Sequence, residues 1–395
     1  MAESVPGRQA QRPCASGADG QLRDRRTSSS ASPPRAGSTN GLSGITLTGV
    51  QIAPPTRAAV VGTRASFRVA PPTGGYRWRI STLSGARVKA GRARGGTLRL
   101  TAPRTGSGLY LLTIRANRRV AGDRGFARTP LPIASGGRAR LLLVQPAIAW
   151  QAANPVDMTG DGFADPFERI PAGDQLTAPL GRFLALPGGP PGFATSDGAI
   201  SGYIESAHPE LAAQTTTDAA LAAAPAAALR GHDAVLFTGD ERWITAQLGT
   251  ALRAFVERGG KVAFFSSDAF RRTVRLSASE LSGPSDARAR DIFGESIERV
   301  TEPPAPLAPF TDQLGLLRGP TGLFTNFEQS RQRASGAKVL TSAGRDADAP
   351  TLIAYSLGKG QVIRVGAPGW SAELAGALQP NVKYTTDAIL EVLSR

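Results

Sequence analysis

A strand–helix–strand pattern in the second half of the chain constrains the fold more than any other feature of the sequence. Residues 233–237 and 261–265 are short runs dominated by apolar side chains, which is typical of parallel strands buried on both faces of a sheet. Between them, the apolar residues of segment 241–257 recur near helical spacing, and Gly259 and Gly260 end that segment. The pattern therefore predicts a βαβ unit.

Further elements extend this unit into a larger domain. Residues 141–144 form another buried apolar run, segments 351–356 and 361–365 flank a glycine turn as in a hairpin, and residues 385–393 predict a closing helix. We therefore expect residues 138–395 to form a three-layer, flavodoxin-like α/β domain around a mostly parallel sheet.

The upstream half has a different pattern. Residues 43–137 contain short β-prone runs roughly every ten residues, separated by glycine and proline, which predicts an Ig-like β-sandwich. The single cysteine, Cys14, excludes a disulfide that would pin it. Residues 1–42 are rich in Ser, Arg, Gly and Pro and are expected to form a disordered basic tail. The predicted fold class is thus multidomain, β followed by α/β.

Charge separates the two predicted domains. Residues 46–145 hold 18 basic residues and one acid, Asp123, whereas residues 146–395 hold 22 basic and 27 acidic residues. A field of this sign attracts nucleic acid or another anion, although a solvated surface without a partner would have the same composition. Because no helix-turn-helix, RNP-type aromatic pair or zinc motif is present, we expect a small molecule or an anionic polymer as partner rather than nucleic acid.

Several function classes are excluded or disfavoured by what the sequence contains. One cysteine and two histidines, His208 and His232, cannot build a cysteine-based zinc site, an iron–sulfur cluster or a histidine-rich metal site. The sequence contains no run of 18 apolar residues, so it predicts no transmembrane helix. No signal-peptide core is visible in residues 1–42. We nevertheless expect an extracellular or cell-envelope location, because one segment of the chain has the chemistry of a calcium-binding loop.

That chemistry comes from segment 157–168, which has the spacing of a calcium-binding loop. The predicted ligands occupy loop positions 1, 3, 5, 7, 9 and 12, and Gly162 at position 6 permits the sharp turn. They are Asp157, Thr159, Asp161, Phe163 through its carbonyl, Asp165 and Glu168. An acidic surface turn is the alternative, but four carboxylates in twelve residues would repel one another without a cation. We therefore predict Ca²⁺ as cofactor.

A series of short motifs resembles a known family. Trp150-Gln-Ala-Ala-Asn154, then Asp240-Glu-Arg-Trp243, the segment Gly259-Gly-Lys-Val-Ala-Phe-Phe-Ser266 and the run Arg271-Arg-Thr-Val-Arg-Leu276 are similar to motifs in the large subunit of N,N-dimethylformamidase and its relatives. The resemblance covers roughly residues 105–395. It implies a β-sandwich joined to a domain like the class I glutamine amidotransferases.

The resemblance also implies a position for iron. The dimethylformamidases hold iron with two tyrosines and one glutamate, and the matching positions here are Tyr110, Ala153 and Glu241. Oxygen ligands of that kind suit Fe(III), which activates an amide carbonyl as a Lewis acid. Since Ala153 replaces a tyrosine and Arg242 lies next to Glu241, we do not expect an intact iron site.

Two functions remain open at this point. The first is a divergent, calcium-stabilised binding module with a remnant site formed by Tyr110, Gln151, Asn154, Glu241 and Arg242. The second is a hydrolase of amide C–N bonds that uses Glu241 and Asp240 in the cleft between the domains. Glu241 as an ordinary acid in the first turn of a helix is the structural alternative to both.

Overall fold

The computed structural model describes residues 49–70, 74–118, 125–137, 139–157, 167, 177–265, 268–376 and 380–395. All of them belong to one compact unit. Two stacked β-sheets come first along the chain, followed by a nine-stranded sheet with helices on both faces. None of the described helices is long and apolar enough to cross a membrane.

Residues 51–134 form a β-sandwich of one three-stranded and one five-stranded sheet. The sheets have the orders β1-β3-β6 and β2-β8-β7-β4-β5. The strands are β1 (Gln51–Ile52), β2 (Ala59–Val60), β3 (Arg64–Ala70), β4 (Tyr76–Ser81), β5 (Arg87–Ala93), β6 (Thr97–Thr101), β7 (Gly108–Ala116) and β8 (Phe126–Ala134). Alternate side chains such as Phe67, Ile80 and Leu112 fill the space between the sheets, as the period of two requires.

The nine-stranded sheet has the order β11-β9-β12-β14-β22-β21-β20-β18-β19. Its strands are β9 (Leu141–Gln145), β11 (Gln214–Thr217), β12 (Ala234–Phe237), β14 (Lys261–Phe264), β18 (Ser296–Asp312), β19 (Thr321–Gln332), β20 (Lys338–Gly344), β21 (Leu352–Leu357) and β22 (Gly360–Val365). The first four neighbouring pairs are parallel and the last four are antiparallel. The sheet is therefore half parallel rather than mostly parallel, because a long antiparallel hairpin extends it.

Helices cover both faces of this sheet. They are α1 (Ala147–Ala152), α2 (Asp197–Ala207), α3 (Asp218–Ala223), α4 (Pro225–Ala228), α5 (Ala246–Glu257), α6 (Trp370–Ala375) and α7 (Pro380–Ser394). Apolar residues of α2, α6 and α7 pack on the face that carries Leu141 and Leu143. Residues of α3 and α5 pack on the face that carries Leu142 and Val144. Both faces of the parallel strands are buried, as their continuous apolar sequences predict.

Two small sheets complete the fold and change the predicted start of one helix. They contain β10 (Thr177–Pro179), β16 (Arg275–Leu276) and β17 (Glu280–Ser282), and the pair β13 (Trp243–Ile244) and β15 (Arg272–Thr273). Helix α5 begins at Ala246, where the Thr245 hydroxyl accepts the N–H of Leu248. Glu241 consequently lies before a short strand and not in the first turn of a helix.

Candidate functional site: carboxylates at the strand ends

The carboxyl ends of strands β11, β9 and β12 meet at one edge of the nine-stranded sheet. The chain leaves β9, forms β11 on one side of it and then returns to form β12 on the other. Such a switch in direction opens a crevice at the carboxyl ends, where parallel sheets place their sites. Asp218 follows β11, helix α1 follows β9, and Asp240 and Glu241 follow β12.

Asp218 and Glu241 form a buried acid pair in this crevice. Asp218 is 1% exposed and Glu241 is 2% exposed. The Asp218 carboxylate accepts the N–H of Ile148 in helix α1 at 3.0 Å and the N–H of Ala219 at 2.6 Å. Because these donors satisfy Asp218 as an anion, Glu241 is the partner that carries the proton and donates it to Asp218.

The proton affinities of the pair reflect its burial. Burial raises the pKa of Asp218 to about 7, even though backbone N–H groups and Glu241 favour its charged form. Burial, together with the negative charges of Asp218, Asp197 and Asp240, raises the pKa of Glu241 well above its ordinary value. The pair therefore retains at least one proton at neutral pH, and it joins the N-terminal turns of α1 and α3 to the segment after β12.

Asp197 adds a third buried carboxyl group to the crevice. Its Oδ2 accepts the Trp150 Nε1–H at 2.7 Å, and its Oδ1 accepts the Ser196 hydroxyl at 2.9 Å. Burial raises the pKa of Asp197 to about 6. Gly239 packs so closely against it that a Cβ at that position would overlap Asp197 and Pro146. This contact explains the glycine before Asp240.

Arg242 provides positive charge at the edge of the cluster. Its Nε lies 2.8 Å from Oδ2 of Asp240, and both side chains are partly exposed. The backbone on either side of Arg242 is fixed, because Phe270 donates its N–H to the Glu241 carbonyl and Arg272 donates its N–H to the Arg242 carbonyl. Asp240 and Arg242 thus form the outer part of a site whose inner part is buried.

Gln151 and Asn154 hold the segment that runs beside helix α1. The Asn154 amide donates to the Phe183 carbonyl at 2.9 Å and accepts the Ala185 N–H at 2.9 Å. The Arg182 guanidinium donates to the carbonyl of Gln151, and the Gln151 amide donates to the Arg182 carbonyl. Both predicted site residues are fully buried and hydrogen-bonded to protein.

Tyr110 lies apart from the acid pair. On strand β7, Leu109 and Leu111 pack with Trp150 of helix α1, whereas Tyr110 points to the opposite face and joins the sandwich core. Its hydroxyl lies 3.1 Å from the Thr105 hydroxyl and donates to the Gly106 carbonyl. Of the predicted remnant site, the structure thus groups Glu241 with Arg242 and Gln151 with Asn154, and it places Tyr110 in a different cluster.

Tyr110 instead borders a cleft between the sandwich and helix α2. The cleft has a volume of about 620 Å³, and its polar lining includes Ser107, Tyr110, Glu205 and His208. Oε1 of Glu205 accepts the N–H of Leu109 at 2.5 Å, which links α2 to strand β7. Burial raises the pKa of Glu205 to about 7. A carboxyl group with this pKa can both donate and accept a hydrogen bond near neutral pH.

The predicted calcium loop lies mostly outside the described residues. Of its six predicted ligands, only Asp157 is among the described residues. Phe167, which is in the loop but is not a predicted ligand, is also described and is buried beside α1. Across the described ranges, no group of three or more His, Cys, Asp or Glu side chains has the arrangement of a metal site. Calcium binding at 157–168 therefore stays a prediction.

Three carboxyl groups of these sites were not identified from the sequence. Asp197 and Asp218 each begin a helix, and acids are common there for reasons unrelated to function. Glu205 lies in the last turn of α2 and resembles an ordinary surface acid. A usable signal existed only for Asp218, which directly follows the strand Gln214–Thr217 at the carboxyl end of a predicted parallel sheet.

Comparison with solved structures finds only distant similarity. A β-galactosidase from Bacillus circulans sp. alkalophilus is 17% identical over 42% of this chain and 23% of its own, with a TM-score of 0.30. An exo-β-1,4-mannosidase from Opitutaceae bacterium strain TAV5 is 17% identical over 60% of this chain and 32% of its own, with a TM-score of 0.35. The chain thus spans about a quarter to a third of these proteins, and similarity at this level carries no inference.

No curated protein matches the sequence. A family model does match it. The model describes the C-terminal region of proteins like the N,N-dimethylformamidase beta subunit, and it matches residues 95–302, which include strand β7, helix α1 and the carboxylate crevice. The match covers a little over half of the chain and agrees with the motifs at Trp150, Asp240 and Gly259. The chain therefore belongs to the N,N-dimethylformamidase beta subunit-like family.

Proposed function

We propose that this chain is a divergent member of its family that lacks the iron chemistry of the dimethylformamidases and acts as a calcium-stabilised binding module. The observation that carries the proposal is the set of residues at the implied iron position. Glu241 is 2% exposed and lies beside Asp218. Ala153 stands where a tyrosine ligand is implied, and Tyr110 belongs to the sandwich core. A single glutamate is too small a ligand set for Fe(III).

The other two implied positions also fit iron badly. Ala153 offers no ligand atom in its side chain, and its N–H is bonded to the Ala149 carbonyl. The Tyr110 hydroxyl is bonded within the sandwich and lies on the face of β7 away from α1. Fe(III) requires several hard oxygen ligands that converge on one point. The residues present therefore do not fit the metal.

The cleft beside Glu205 is the ligand site that we propose. Its volume lies within the range of pockets for small molecules, and its polar groups are few and close together. Glu205, with a pKa near 7, can donate or accept a hydrogen bond, and the hydroxyls of Ser107 and Tyr110, whose protons bond the Ala213 and Gly106 carbonyls, can still accept one. These groups suit a neutral ligand that both donates and accepts, such as an amide. An anionic polymer on the basic sandwich is a second class of partner. Nucleic acid is not among the partners that we propose.

Hydrolysis of amide C–N bonds by Glu241 and Asp240 is the second candidate function. It is favoured by carboxyl groups that keep a proton near neutral pH, because such groups can act as general acids. It is disfavoured by access, since a catalytic carboxyl must contact its substrate and Glu241 is 2% exposed. Binding accounts for the geometry better than catalysis does.

Calcium at residues 157–168 supports the proposed module from the segment that follows α1. The loop begins three residues after Asn154, which is anchored to Phe183 and Ala185. Binding of Ca²⁺ would therefore stabilise the structure on which the crevice depends. The stabilisation is about 2.7 kcal/mol at a calcium concentration one hundred times the dissociation constant.

Two measurements on the purified full chain test the proposal: analysis of its metal content and calorimetry of its thermal unfolding. We expect no stoichiometric iron, one equivalent of calcium, and a melting temperature that rises with calcium in the wild type and in Asp348→Asn but not in Asp161→Asn. Asp348 is an exposed acid in another turn, so it controls for loss of one charge. One equivalent of iron would overturn the loss of iron chemistry. Equal melting curves with calcium and with chelator would overturn the calcium assignment.

A set of simple amides, including N,N-dimethylformamide, separates the two functions. Calorimetric binding without turnover, weakened by Glu205→Ala and unchanged by Glu280→Ala, which replaces an exposed acid outside the cleft, is the expected result. Turnover that Glu241→Gln abolishes would replace the binding module with the hydrolase.

A further inference from the structure

The outer face of the five-stranded sandwich sheet carries a dense group of arginines. Arg77 pairs in register with Arg92 on one side and with Arg115 on the other, so three guanidinium side chains lie in one row across β5, β4 and β7. In the next row, Arg79 lies opposite Thr113, which lies opposite Arg128. These arginines and Arg87 line one groove, which we call the arginine face: Arg77, Arg79, Arg87, Arg92, Arg115 and Arg128.

The sheet itself forces these side chains outward. Tyr76 and Ile80 alternate with Arg77 and Arg79 along β4, and both apolar residues fill the sandwich core. Since successive side chains point to opposite faces of a strand, the arginines must lie on the other face. Cross-strand neighbours have Cβ atoms roughly 5 Å apart, and like charges at that spacing destabilise a sheet.

Among the residues that the structure describes, no carboxylate neutralises this face. None of the six arginines makes an ion pair with any other described residue. The sequence also offers little acid nearby, because Asp123 is the single acidic residue between positions 46 and 145. The sandwich therefore carries a concentrated positive charge that an external anion would relieve.

The groove is a shaped surface rather than a flat one. It encloses about 700 Å³, with Leu83, Ser84 and Gly85 of the β4–β5 turn forming one wall. Arg79 donates to the Gly85 carbonyl and so fixes that wall. Arg128 also lines the groove, and its Nε–H is buried without a hydrogen-bond partner among the described residues. A buried N–H donor without a hydrogen-bond partner reduces stability unless a ligand accepts its hydrogen bond.

We propose that the arginine face binds a linear acidic polysaccharide, that is, a sugar polymer carrying carboxylate or sulfate groups. Arginine forks bind such anions with two parallel hydrogen bonds. Ser81, Ser84 and Thr113 line the same groove and can bond sugar hydroxyls. This surface is separate from the cleft at Glu205, so the inference does not depend on the proposed small-molecule site.

Nucleic acid fits the face less well because its bases would lack stacking partners. Trp78 borders the groove but is only partly exposed, because its ring packs against the sandwich core and covers Gly91, where a Cβ would overlap it. Phe126 is covered by the Arg115 guanidinium, whose carbon lies 5.5 Å from the ring centre. Proteins that bind single-stranded nucleic acid without sequence preference combine positive charge with exposed aromatic platforms. The described part of this face has no fully exposed aromatic ring to serve as such a platform.

Binding of the full chain to defined polymers tests the proposal. The probes are heparin, polygalacturonate, single-stranded oligothymidylate and uncharged dextran, each titrated at about 50 mM and about 200 mM salt, where displacement of counterions makes affinity for a linear polyanion salt-dependent. We expect heparin and polygalacturonate to bind more tightly than oligothymidylate, affinity to fall with salt, and dextran not to bind.

A matched pair of double variants locates the surface. Arg77→Gln/Arg115→Gln removes two charges from the arginine face, and Arg64→Gln/Arg99→Gln removes two from the outer face of the other sheet, where both residues are exposed. We expect the first to weaken heparin binding about tenfold or more and the second less than about twofold, because only the first removes contacting arginines.

Three results would overturn the proposal. Equal losses in the two variants would mean that binding follows net charge rather than this face. Tighter binding of oligothymidylate that is lost in Arg77→Gln/Arg115→Gln would make the partner a nucleic acid. Absence of binding to every polyanion at low salt would leave the face a solvated surface. Circular dichroism melting of each variant verifies folding, and removal of opposed like charges is expected to leave the melting temperature unchanged or raise it.

Discussion

Replacing Glu241 with glutamine should stabilise this protein at alkaline pH and change little at acid pH. In the wild type, the Glu241 carboxyl donates to the Asp218 carboxylate while both are buried. Glutamine has nearly the same shape, and its amide N–H can donate to Asp218 in the same way. The variant therefore keeps the contact and removes only the group that must hold a proton.

The magnitude follows from the proton that Glu241 retains on folding. Its folded pKa lies well above the ordinary value of 4.5, so this group favours folding most below pH 4.5. The favourable contribution is lost as the pH rises from 4.5 toward the folded pKa, because the unfolded chain releases its proton and the folded chain does not. At pH 8 the cost has a ceiling of about 5 kcal/mol, at about 1.4 kcal/mol for each pKa unit.

Glu241→Gln removes that cost. We expect the advantage of the variant in free energy of unfolding to be less than about 1 kcal/mol at pH 4.5 and to grow with pH toward that ceiling of about 5 kcal/mol at pH 8. Asp197, Asp218 and Asp240, which face Glu241, are present in both proteins, so their own titrations largely cancel in the difference.

Urea denaturation at pH 4.5, 6, 7 and 8 measures this difference. Glu280→Gln is the control, because Glu280 is exposed on β17 and its replacement should give the same small difference at every pH. A Glu241→Gln protein that is less stable than the wild type at all four values, or whose advantage does not grow with pH, would show that Glu241 is not held in its neutral form.

Three further substitutions test other contacts by urea denaturation at pH 7. Gly239→Ala should lose about 1–3 kcal/mol because its Cβ overlaps Asp197, whereas Gly136→Ala, which has open space, should lose little; equal losses would contradict the overlap. Arg364→Met should lose about 3–5 kcal/mol, because it leaves the fully buried Glu295 without its ion pair, and a loss below about 1 kcal/mol would mean that the pair is hydrated. Glu205→Ala should lose about 1–3 kcal/mol by leaving the N–H of Leu109 unpaired; Glu205→Gln keeps both the shape and an acceptor oxygen, so an equal loss in that variant would show that the unpaired N–H is not the cause.

The buried parallel strands were the most predictable part of the fold. The apolar runs at 141–144, 233–237 and 261–265 are strands β9, β12 and β14, with ends that differ by about one residue. Such strands contact neighbours on both faces, so their sequences contain few polar residues and stand out from the rest of the chain.

The long hairpin of β18 and β19 could not be read from the sequence in the same way. Pro303, Pro304, Pro306 and Pro309 interrupt the alternation of β18, and proline within a run normally argues against a strand. The structure accommodates them because the pairing of β18 with its neighbours shifts register several times between residues 301 and 311. Bulges tolerate residues that cannot donate to the ladder, but only the three-dimensional pairing reveals them.

At the site, sequence reasoning found one member of the acid pair and missed the other. Glu241 was identified because it follows a predicted strand within a recognisable motif. Asp218 begins a short helix, where an acid is common, and nothing in its neighbours shows that it is 1% exposed. Burial of a polar residue depends on what the fold brings against it, here the N-terminus of α1 and the segment after β12.

The contacts of the motif residues explain how family membership can persist while the chemistry changes. Trp150 donates a hydrogen bond to Asp197. Gln151 and Asn154 hydrogen-bond the segment that begins at Arg182, and Trp243 is buried in the cluster that joins α1 to the sandwich. Each of these residues stabilises the fold through its hydrogen bonds or its packing, so a sequence that keeps them keeps the fold. Ala153 lies among them, but its side chain takes no part in these hydrogen bonds. A substitution at such a position can therefore remove a ligand without loss of the frame, and resemblance in the motif carries the fold further than it carries the activity.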